Sequence, residues 1–346
     1  MTATTTYATP TKTARPVPPL SGAAVFHEYI RPDLDAVELR LDAAIGSDVR
    51  TISTLTSHIL RAGGKRLRPA MVALSARAYR PDVDRARVSL VGAAVELIHM
   101  ASLVHDDVVD NTETRRGKPT ANALFGNCVA VISGDYILAR AMRLLADDGD
   151  VRLLRILADI TVTMSEGEVM EIAAAGRYDL PMAEYLEILR KKTGVFLEGC
   201  CRCGAVLAEA DERTENALAQ YGSRLGLAFQ LADDLLDYIG DPEITGKPRG
   251  SDLRDGRATM PFLLALQDAN PAERDQLLTA FGDPTLDDAA VLRICALLRA
   301  HDGFDRTRAF AQEQVELAAS SLSVLPPTQA RDCFQALTSY VVLRDR

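Results

Sequence analysis

The sequence lacks any run of about 18 apolar residues, so no transmembrane helix is predicted. It also lacks an excess of basic residues, because the formal net charge is −9. This balance argues against a nucleic-acid partner, since a phosphate backbone needs a broad basic surface. Any phosphate substrate must therefore be held by local cations or metal ions, against the overall field of the protein.

Six cysteines are present, but no second pair follows the C-x-x-C formed by Cys200 and Cys203. Half a zinc site or a redox motif would be the functional interpretation of this spacing. The flanking residues are small and apolar, so we expect the cysteines to pack as core residues. Nothing in the cysteine pattern indicates an oxidising compartment.

A recognisable targeting segment is also missing. Residues 1–23 are rich in Thr, Pro and Ala and have no apolar core, so they are predicted to form a disordered tail. Residues 24–346 are predicted to form one helical domain. Without a signal peptide or a membrane anchor, the protein is expected to be cytoplasmic.

Alternating strand patterns are absent too, whereas apolar residues recur at steps of three and four along most of the chain. Segments containing glycine and proline at 63–64, after 113 and at 240–256 are predicted loops, and Pro69 suits the first residue of a helix. The sequence therefore predicts an all-α bundle. Helical periodicity covers Val88 to Asp110 and the approximate ranges 128–147, 150–175, 182–209, 212–238, 257–268 and 286–344.

Two acidic motifs stand out, because HDDVVD at 105–110 and ADDLLD at 232–237 each place D-D-x-x-D at the end of an apolar helix. Residues four apart share a helix face, so Asp106 and Asp110 project together, and the second motif repeats this geometry. Such carboxylates repel each other unless a hard divalent cation lies between them. We expect the two motifs to be two walls of one magnesium site. The metal candidates are Asp106, Asp107, Asp110, Asp233, Asp234 and Asp237.

Basic residues concentrate beside these motifs. In the segment GGKRLRP, the Gly63-Gly64 turn is followed by three cations, Lys65, Arg66 and Arg68. Lysine offers a point charge and arginine a fork of donors, and both suit a diphosphate. His99 lies seven residues before Asp106, two helical turns along roughly the same face. The diphosphate-binding candidates are Lys65, Arg68, His99, Arg115, Arg116, Lys192, Lys247 and Arg257.

Together these residues resemble the trans-isoprenyl diphosphate synthases, or polyprenyl synthetases. The resemblance spans Gly63 to Pro261, in family order and at compatible spacing. It implies an isoprenoid synthase helical fold with a central cavity, magnesium-dependent condensation of isopentenyl diphosphate with an allylic diphosphate such as farnesyl diphosphate, and a homodimer. The motifs are GGKRLRP, ELIHMASLVHDDVVD, RRGKPTAN, GNCVAVISGDYILARA, EGEVMEI, KKT, LAFQLADDLLD and GKPRGSDLRDGRAT.

The resemblance also implies individual roles. Asp106, Asp110 and Asp233 would ligate two or three magnesium ions bound to the allylic diphosphate, supported by Asp107, Asp234 and Asp237. Isopentenyl diphosphate would be held by Lys65, Arg68, His99 and Arg116, and the allylic diphosphate by Arg115, Lys192 and Lys247. Arg257 stands where many relatives carry lysine, and Glu168 and Glu171 match an acidic or amide pair. Thr193 and Gln230 would line the region where the carbocation forms, and the Thr193-Gly194 pair is predicted to kink its helix. The predicted catalytic set is Asp106, Asp110, Asp233, Lys192, Thr193 and Gln230.

Product length is predicted from the residues that precede the first acidic motif. One helical turn is about 5.4 Å, close to the length of one isoprene unit. Ala101 and Ser102 are small where short-chain relatives often carry aromatics, and Ile98 would line the next level. By analogy with long-chain relatives, we expect a product of about 35–50 carbons. The helical pitch gives only the length added with each isoprene unit, not the total. A geranylgeranyl or farnesyl product is the alternative. A transient membrane contact would help to release so apolar a product.

Three other functions fit parts of the pattern. A noncatalytic partner subunit of a heteromeric synthase should lack one or both acidic motifs, and this chain has both. A terpene cyclase would not need the second diphosphate clamp at Lys65, Arg68 and His99. A metal-dependent phosphohydrolase using His105 and Asp106 would need further spaced histidines.

Overall fold

The structure, a computed structural model, describes residues 24–115, 117–241 and 248–342. Arg116, Lys247 and the predicted tail at 1–23 lie outside the described residues. The domain boundary at residue 24 stays a prediction. Helices make up most of the described chain, as the periodicity predicted.

The helices before the π-helical turn are α1 (Ala24–Ala44), α2 (Arg50–Arg61), α3 (Leu67–Tyr79), α4 (Arg85–Val109), α5 (Ala121–Phe125), α6 (Asn127–Asp148), α7 (Val151–Ala174) and α8 (Met182–Leu189). The π-helical turn covers Arg190–Gly194. After it come α9 (Val195–Leu207), α10 (Glu212–Ile239), α11 (Ser251–Arg254), α12 (Met260–Asp268), α13 (Pro271–Ala280), α14 (Asp288–Ala300), α15 (Gly303–Ser321) and α16 (Gln329–Val342), with a 3-10 turn at Leu322–Val324.

The two helices that end in acidic motifs, α4 and α10, have well-defined beginnings. The Asp84 carboxylate accepts a hydrogen bond from the backbone N–H of Ala86 at the start of α4. Asp211 caps α10 in the same way through the N–H of Thr214. Such caps satisfy backbone donors that the first helical turn leaves without partners. Each motif then lies in the last two turns of its helix.

The apolar core of the described residues has two large clusters and a small third one around Leu55 and Val104, and α10 runs through both large clusters. Its first part packs Leu218 and Leu225 into a cluster with α1, α3, α4, α6 and α9. Its second part packs Leu231 and Leu235 into a cluster with α8 and α12 to α15. The second acidic motif therefore lies on a helix that is packed along most of its length, with the motif's own Leu235 in the second cluster.

Helix α10 also approaches the π-helical turn very closely. A Cβ atom added at Gly226 would lie 2.8 Å from Cα of Gly194 and 3.1 Å from the carbonyl oxygen of Thr193. Glycine at 226 therefore permits a contact that no side chain would allow. The helix deformation predicted at Thr193-Gly194 is present, and it takes the form of a π-helical turn.

Several predictions about secondary structure need correction, including the loop at 240–256, within which helix α11 forms over Ser251–Arg254. A short antiparallel hairpin joins β1 (Thr114–Arg115) to β2 (Lys118–Pro119), where a loop was expected. Helix α3 begins at Leu67, two residues before Pro69, and the proline is tolerated there because N–H groups of the first turn have no helical partner. Helix α13 falls in the gap left between the periodic runs, and its N-terminus has an Asn270–Glu273 capping box.

Helix α4 is long and apolar enough to span a membrane by length and composition, the only such helix in the part of the chain that the structure describes. Of its most apolar window, 72% is buried inside the protein. This burial is that of a core helix packed against α1, α3 and α6.

Candidate active site

A cavity of about 1500 Å³ opens at the ends of α4 and α10. Asp110 lines it from the first acidic motif, and Asp233, Asp234 and Asp237 line it from the second. The two motifs, 127 residues apart in sequence when Asp106 is compared with Asp233, thus open onto the same space. Carboxylates at a helix C-terminus also oppose the helix dipole, which makes a cation there favourable.

Asp106 and Asp107 of the first motif lie next to different groups. Asp107 is 5% exposed, and its Oδ1 accepts a hydrogen bond of 2.8 Å from Nε of Arg115. Asp106 lies on the other side, within electrostatic range of Lys192 and Glu168. Arg115, a predicted ligand of the allylic diphosphate, is therefore held by Asp107 beside the motif.

Arg257 connects the two motifs. Its Nη2 lies 3.0 Å from Oδ1 of Asp110, and its backbone N–H donates to the carbonyl oxygen of Asp252. The N–H of Asp252 in turn donates to Oδ2 of Asp237 at 3.2 Å. Residues 251–257, in the described part of the segment after the second motif, are thus fastened to both walls of the cavity. Asp237 also accepts from the N–H of Ser251, so its two oxygens organise this loop.

Charged side chains of helix α7 and of the π-helical turn form ion pairs near the two acidic motifs. Nζ of Lys192 contacts the carboxylates of Glu171 and Glu168, the latter at 3.0 Å. Burial alone would lower the pKa of Lys192, but these two carboxylates raise it above its ordinary value. Lys192 is therefore a stable cation inside the cavity.

A chain of hydrogen bonds runs from the π-helical turn to the second motif. Thr193 Oγ1 lies 2.9 Å from Oε1 of Gln230, and Nε2 of Gln230 donates to Oδ1 of Asp234 at 3.0 Å. The hydroxyl of Tyr185 donates to the other oxygen of Asp234 at 2.6 Å. These bonds orient oxygen dipoles next to the cavity, where the sequence predicted that a carbocation would be stabilised.

The predicted isopentenyl diphosphate clamp also lines the cavity through Lys65, Arg68 and His99. Phe196, which is fully buried, lies beneath two of them. The Arg68 guanidinium stacks 4.8 Å from the centroid of its ring, and His99 meets the same ring edge-on at 6.2 Å. This contact holds a cation and a histidine side by side.

Three carboxylates have too little positive charge around them: Asp234 and Asp252 line the cavity, whereas Asp106 lies beside it without lining it. Burial and the neighbouring Glu168 carboxylate raise the pKa of Asp106 to about 7. Burial raises the pKa of Asp234 to about 6, although Tyr185 and Gln230 lower it in part. Burial and the nearby Asp237 also raise the pKa of Asp252 well above its ordinary value. Acidic groups in this state are suited to receive a divalent cation.

Among the described residues, no three acidic, histidine or cysteine side chains already converge closely enough to hold a metal ion alone. This fits magnesium, which is usually bound by one or two carboxylates, water and substrate phosphate oxygens rather than by a complete protein cage. The donor set of the cavity is therefore compatible with a metal–diphosphate complex.

The residues predicted to set product length are packed between helices. Ala101 and Ile98 are each 2% exposed, and Ser102 is half-buried. The α4 residues that line the cavity are Glu96, His99, Val109 and Asp110. The predicted ligands Arg116 and Lys247 lie outside the described residues.

Some site residues were not identified from the sequence. Asp252 falls within the GKPRGSDLRDGRAT motif, but the sequence indicates no role for it. The structure places it beside the second acidic motif, where its N–H bonds to Asp237. Tyr185 and Phe196 have no motif of their own, because only packing brings them to Asp234 and Arg68. Arg249 lines the cavity as well.

Two alternative interpretations find no support in the geometry. His105 packs against α6, where a Cβ at Gly134 would lie 2.3 Å from its Nε2, and this nitrogen is 3.2 Å from the carbonyl oxygen of Val131. It is therefore a packing residue rather than half of a phosphohydrolase dyad. Cys200 and Cys203 are fully buried, as predicted for core residues, and burial raises their pKa.

Comparison with known proteins identifies the class. The polyprenyl synthetase family model matches residues 49–298. The chain is 37% identical to heptaprenyl diphosphate synthase component 2 of Geobacillus stearothermophilus over 92% of this chain and 98% of the relative. It is 35% identical to octaprenyl diphosphate synthase of Escherichia coli, with the same coverage.

Solved structures agree with the sequence relatives. A decaprenyl diphosphate synthase from Rhodobacter capsulatus superposes with a TM-score of 0.88 at 35% identity, covering 94% of this chain and 99% of that one. A polyprenyl synthase from Caulobacter crescentus, complexed with calcium and isoprenyl diphosphate, has a TM-score of 0.88 at 36% identity, covering 94% and 98%.

The chain therefore belongs to the polyprenyl synthetase family. It is a trans-prenyltransferase with the all-α isoprenoid synthase fold, as its motifs predicted.

Proposed function

We propose that this enzyme condenses isopentenyl diphosphate with an allylic diphosphate, such as farnesyl diphosphate, to make an all-trans polyprenyl diphosphate of about 35–50 carbons, in steps of one isoprene unit. The observation that carries the proposal is the single cavity onto which both acidic motifs and the Lys65–Arg68–His99 clamp open. A terpene cyclase needs one diphosphate site, whereas this cavity offers cations on two sides.

Asp106, Asp110 and Asp233 are the proposed ligands of two or three magnesium ions. When bound, the ions would neutralise diphosphate charge and stabilise the departing diphosphate. Asp107 and Asp237 act indirectly in this proposal, because Asp107 is engaged by Arg115 and Asp237 organises the loop that contains Asp252. Asp234 orients Gln230.

The cations have separate tasks. In this proposal Lys192 and Arg257, which line the cavity with the acidic motifs, hold the allylic diphosphate together with Arg115 and Lys247. Lys65, Arg68 and His99, with Arg116, hold isopentenyl diphosphate on the other side. Positioning both substrates in one cavity converts their encounter into a step within a single complex.

The carbocation left after ionisation would lie near Thr193 and Gln230. The π-helical turn shifts the backbone hydrogen bonds to i+5 spacing, as in the bond from the N–H of Val195 to the carbonyl oxygen of Arg190. Backbone carbonyl oxygens near the carbocation would add partial negative charge. The neutral amide and hydroxyl stabilise a cation without capturing it as a nucleophile would. The released diphosphate serves as the base in this proposal, so the protein needs no side-chain base.

The growing chain is proposed to pass along α4 beside Ser102, Ala101 and Ile98. These side chains are packed in the structure, so elongation requires neighbouring helices to separate locally. Small residues at 101 and 102 reduce that requirement. The relatives named above are heptaprenyl, octaprenyl and decaprenyl diphosphate synthases, which supports a long product.

A homodimer is the proposed assembly. The consecutive helices α6 and α7 carry large exposed apolar residues, Ile132 on α6 and Val169 and Ile172 on α7. Apolar surface of this kind is typical of a subunit interface. Light scattering of wild type and Ile132→Asp tests it, and a monomeric wild type would contradict it.

The cytoplasm is the proposed location, with a transient membrane contact at product release. All six cysteines are free, which is usual for proteins in a reducing compartment.

The decisive assay incubates the enzyme with isopentenyl diphosphate, farnesyl diphosphate and magnesium, and separates the dephosphorylated products by chromatography. Asp106→Ala and Asp233→Ala should abolish condensation while leaving the fold intact. Asp147→Ala is the matched control, because this aspartate is on the exposed surface of α6. Near-normal turnover in either the Asp106 or the Asp233 variant would contradict the metal assignment.

A further inference from the structure

Arg66 lies between Lys65 and Arg68 in the basic loop, yet its own side chain is only 5% exposed. Its Nε lies 2.5 Å from Oε1 of Glu38 on α1, and its Nη1 lies 2.7 Å from Oε1 of Glu96 on α4. Both carboxylates are as deeply buried as the guanidinium. These three residues, the Arg66 triad, tie the loop to two helices at once, which only a forked cation can do.

The backbone of Arg66 is unusual as well. It adopts φ 51° and ψ 35°, the left-handed region that favours glycine. Arg66 is the N-cap of α3, but its side chain makes no capping hydrogen bond. A non-glycine residue persists in this conformation only when surrounding contacts hold it there. The two ion pairs of the triad are those contacts.

The triad also relates the loop to the histidine of the clamp. Glu96 is three residues before His99, so the two side chains lie on the same face of α4, one turn apart. Glu96, Lys65, Arg68 and His99 all line the cavity. The position of the loop relative to His99 is therefore determined by a contact between Arg66 and the helix that contains His99.

We propose that Arg66 is a positioning residue, whose ion pairs with Glu38 and Glu96 hold Lys65 and Arg68 in the orientation that binds isopentenyl diphosphate. This inference rests on the proposed function. Arg66 need not touch the substrate, because its effect reaches the diphosphate through Lys65 and Arg68. The allylic diphosphate, bound at the acidic motifs, should depend on the triad much less.

The test replaces the whole triad in the variant E38Q/R66M/E96Q, because removal of one partner would leave a buried charge without compensation. Arg66→Lys is the second variant, since it keeps the charge but cannot reach both glutamates as a fork. The matched control is D33N/R77M. Arg77 on α3 and Asp33 on α1 form another ion pair with little exposure, at 2.6 Å, and neither is among the described residues that line the cavity.

Steady-state kinetics on each variant vary isopentenyl diphosphate and farnesyl diphosphate separately. In the triad variant we expect the KM for isopentenyl diphosphate to rise about tenfold or more, since misplaced binding groups can cost up to about 100-fold. The KM for farnesyl diphosphate should change less than about twofold, and Arg66→Lys should show a smaller rise for isopentenyl diphosphate alone. The control should lower the melting temperature without changing either KM.

An unchanged KM for isopentenyl diphosphate in both triad variants would overturn the inference, as would an equal rise in the control. A wild-type enzyme that fails to condense the two substrates would instead overturn the proposed function, and the inference with it. The wild-type reaction thus separates the two failures.

Discussion

Asp106→Asn should make the metal-free protein more stable while it abolishes condensation. In the folded protein the pKa of Asp106 rises from its ordinary value of 3.8 to about 7, because of burial and the Glu168 carboxylate. The folded state therefore binds the proton more tightly than the unfolded state does. Stability falls as pH rises from about 4 to about 7, and the full penalty is present above pH 7.

The size of this penalty follows from the shift. Each pKa unit corresponds to about 1.4 kcal/mol, so the shift sets an upper bound of about 4 kcal/mol. The side chain stays partly exposed, and solvent screening reduces the expected gain to about 1–3 kcal/mol. Asparagine is nearly the same size and cannot ionise, so it removes the penalty without leaving a cavity.

Thermal unfolding in a chelator, at pH 8 and at pH 4, measures this effect. We expect Asp106→Asn to raise the melting temperature by about 1–4 °C at pH 8. The difference should vanish at pH 4, where the carboxyl is protonated in the folded and the unfolded state alike. Asp147→Asn, on the exposed surface, should change neither value. A loss of stability at pH 8, or the same gain at both pH values, would refute the reasoning.

Three further perturbations probe other parts of the site. Ala101→Phe should shorten the product to about 15–20 carbons by blocking the path one or two turns below the acidic motif; chromatography reads the length, and an unaltered product would defeat the proposed path. Gly226→Ala should destabilise the fold by about 1–3 kcal/mol and slow turnover, because its Cβ would lie 2.8 Å from Cα of Gly194. Gly46→Ala is its control, since nothing lies within 4 Å of a Cβ there, and equal effects of the two substitutions on melting and turnover would argue against the close contact. Phe196→Leu should raise the KM for isopentenyl diphosphate about 2–20-fold through the lost cation–π contact; an equal rise for farnesyl diphosphate would show that the ring supports the whole cavity instead.

Several features of this site could be predicted because they follow from local helix periodicity. The spacing of Asp106 and Asp110 predicts a shared helix face, and the same spacing at 233 and 237 predicts a second wall. The deformation at Thr193-Gly194 was predictable because a small flexible residue follows a β-branched one inside an otherwise regular helix. The helices themselves follow from apolar periodicity.

Other features depend on contacts between segments far apart in sequence. Phe196 resembles any core aromatic residue until the fold places Arg68 and His99 on its ring. Arg66 looks like one more surface cation in a basic loop, and only packing shows that Glu38 and Glu96 enclose it. The β1–β2 hairpin is two residues per strand, too short to produce an alternating pattern.

The central claim is that both acidic motifs bind one metal–diphosphate complex. A crystal structure with manganese and a non-ionisable thio analogue of farnesyl diphosphate tests it most directly, because anomalous scattering locates the metal ions. The account predicts manganese at Asp106 and Asp110 and at Asp233, with a single diphosphate bridging the two sides. A diphosphate bound away from one motif, with manganese on the other motif alone, would contradict it.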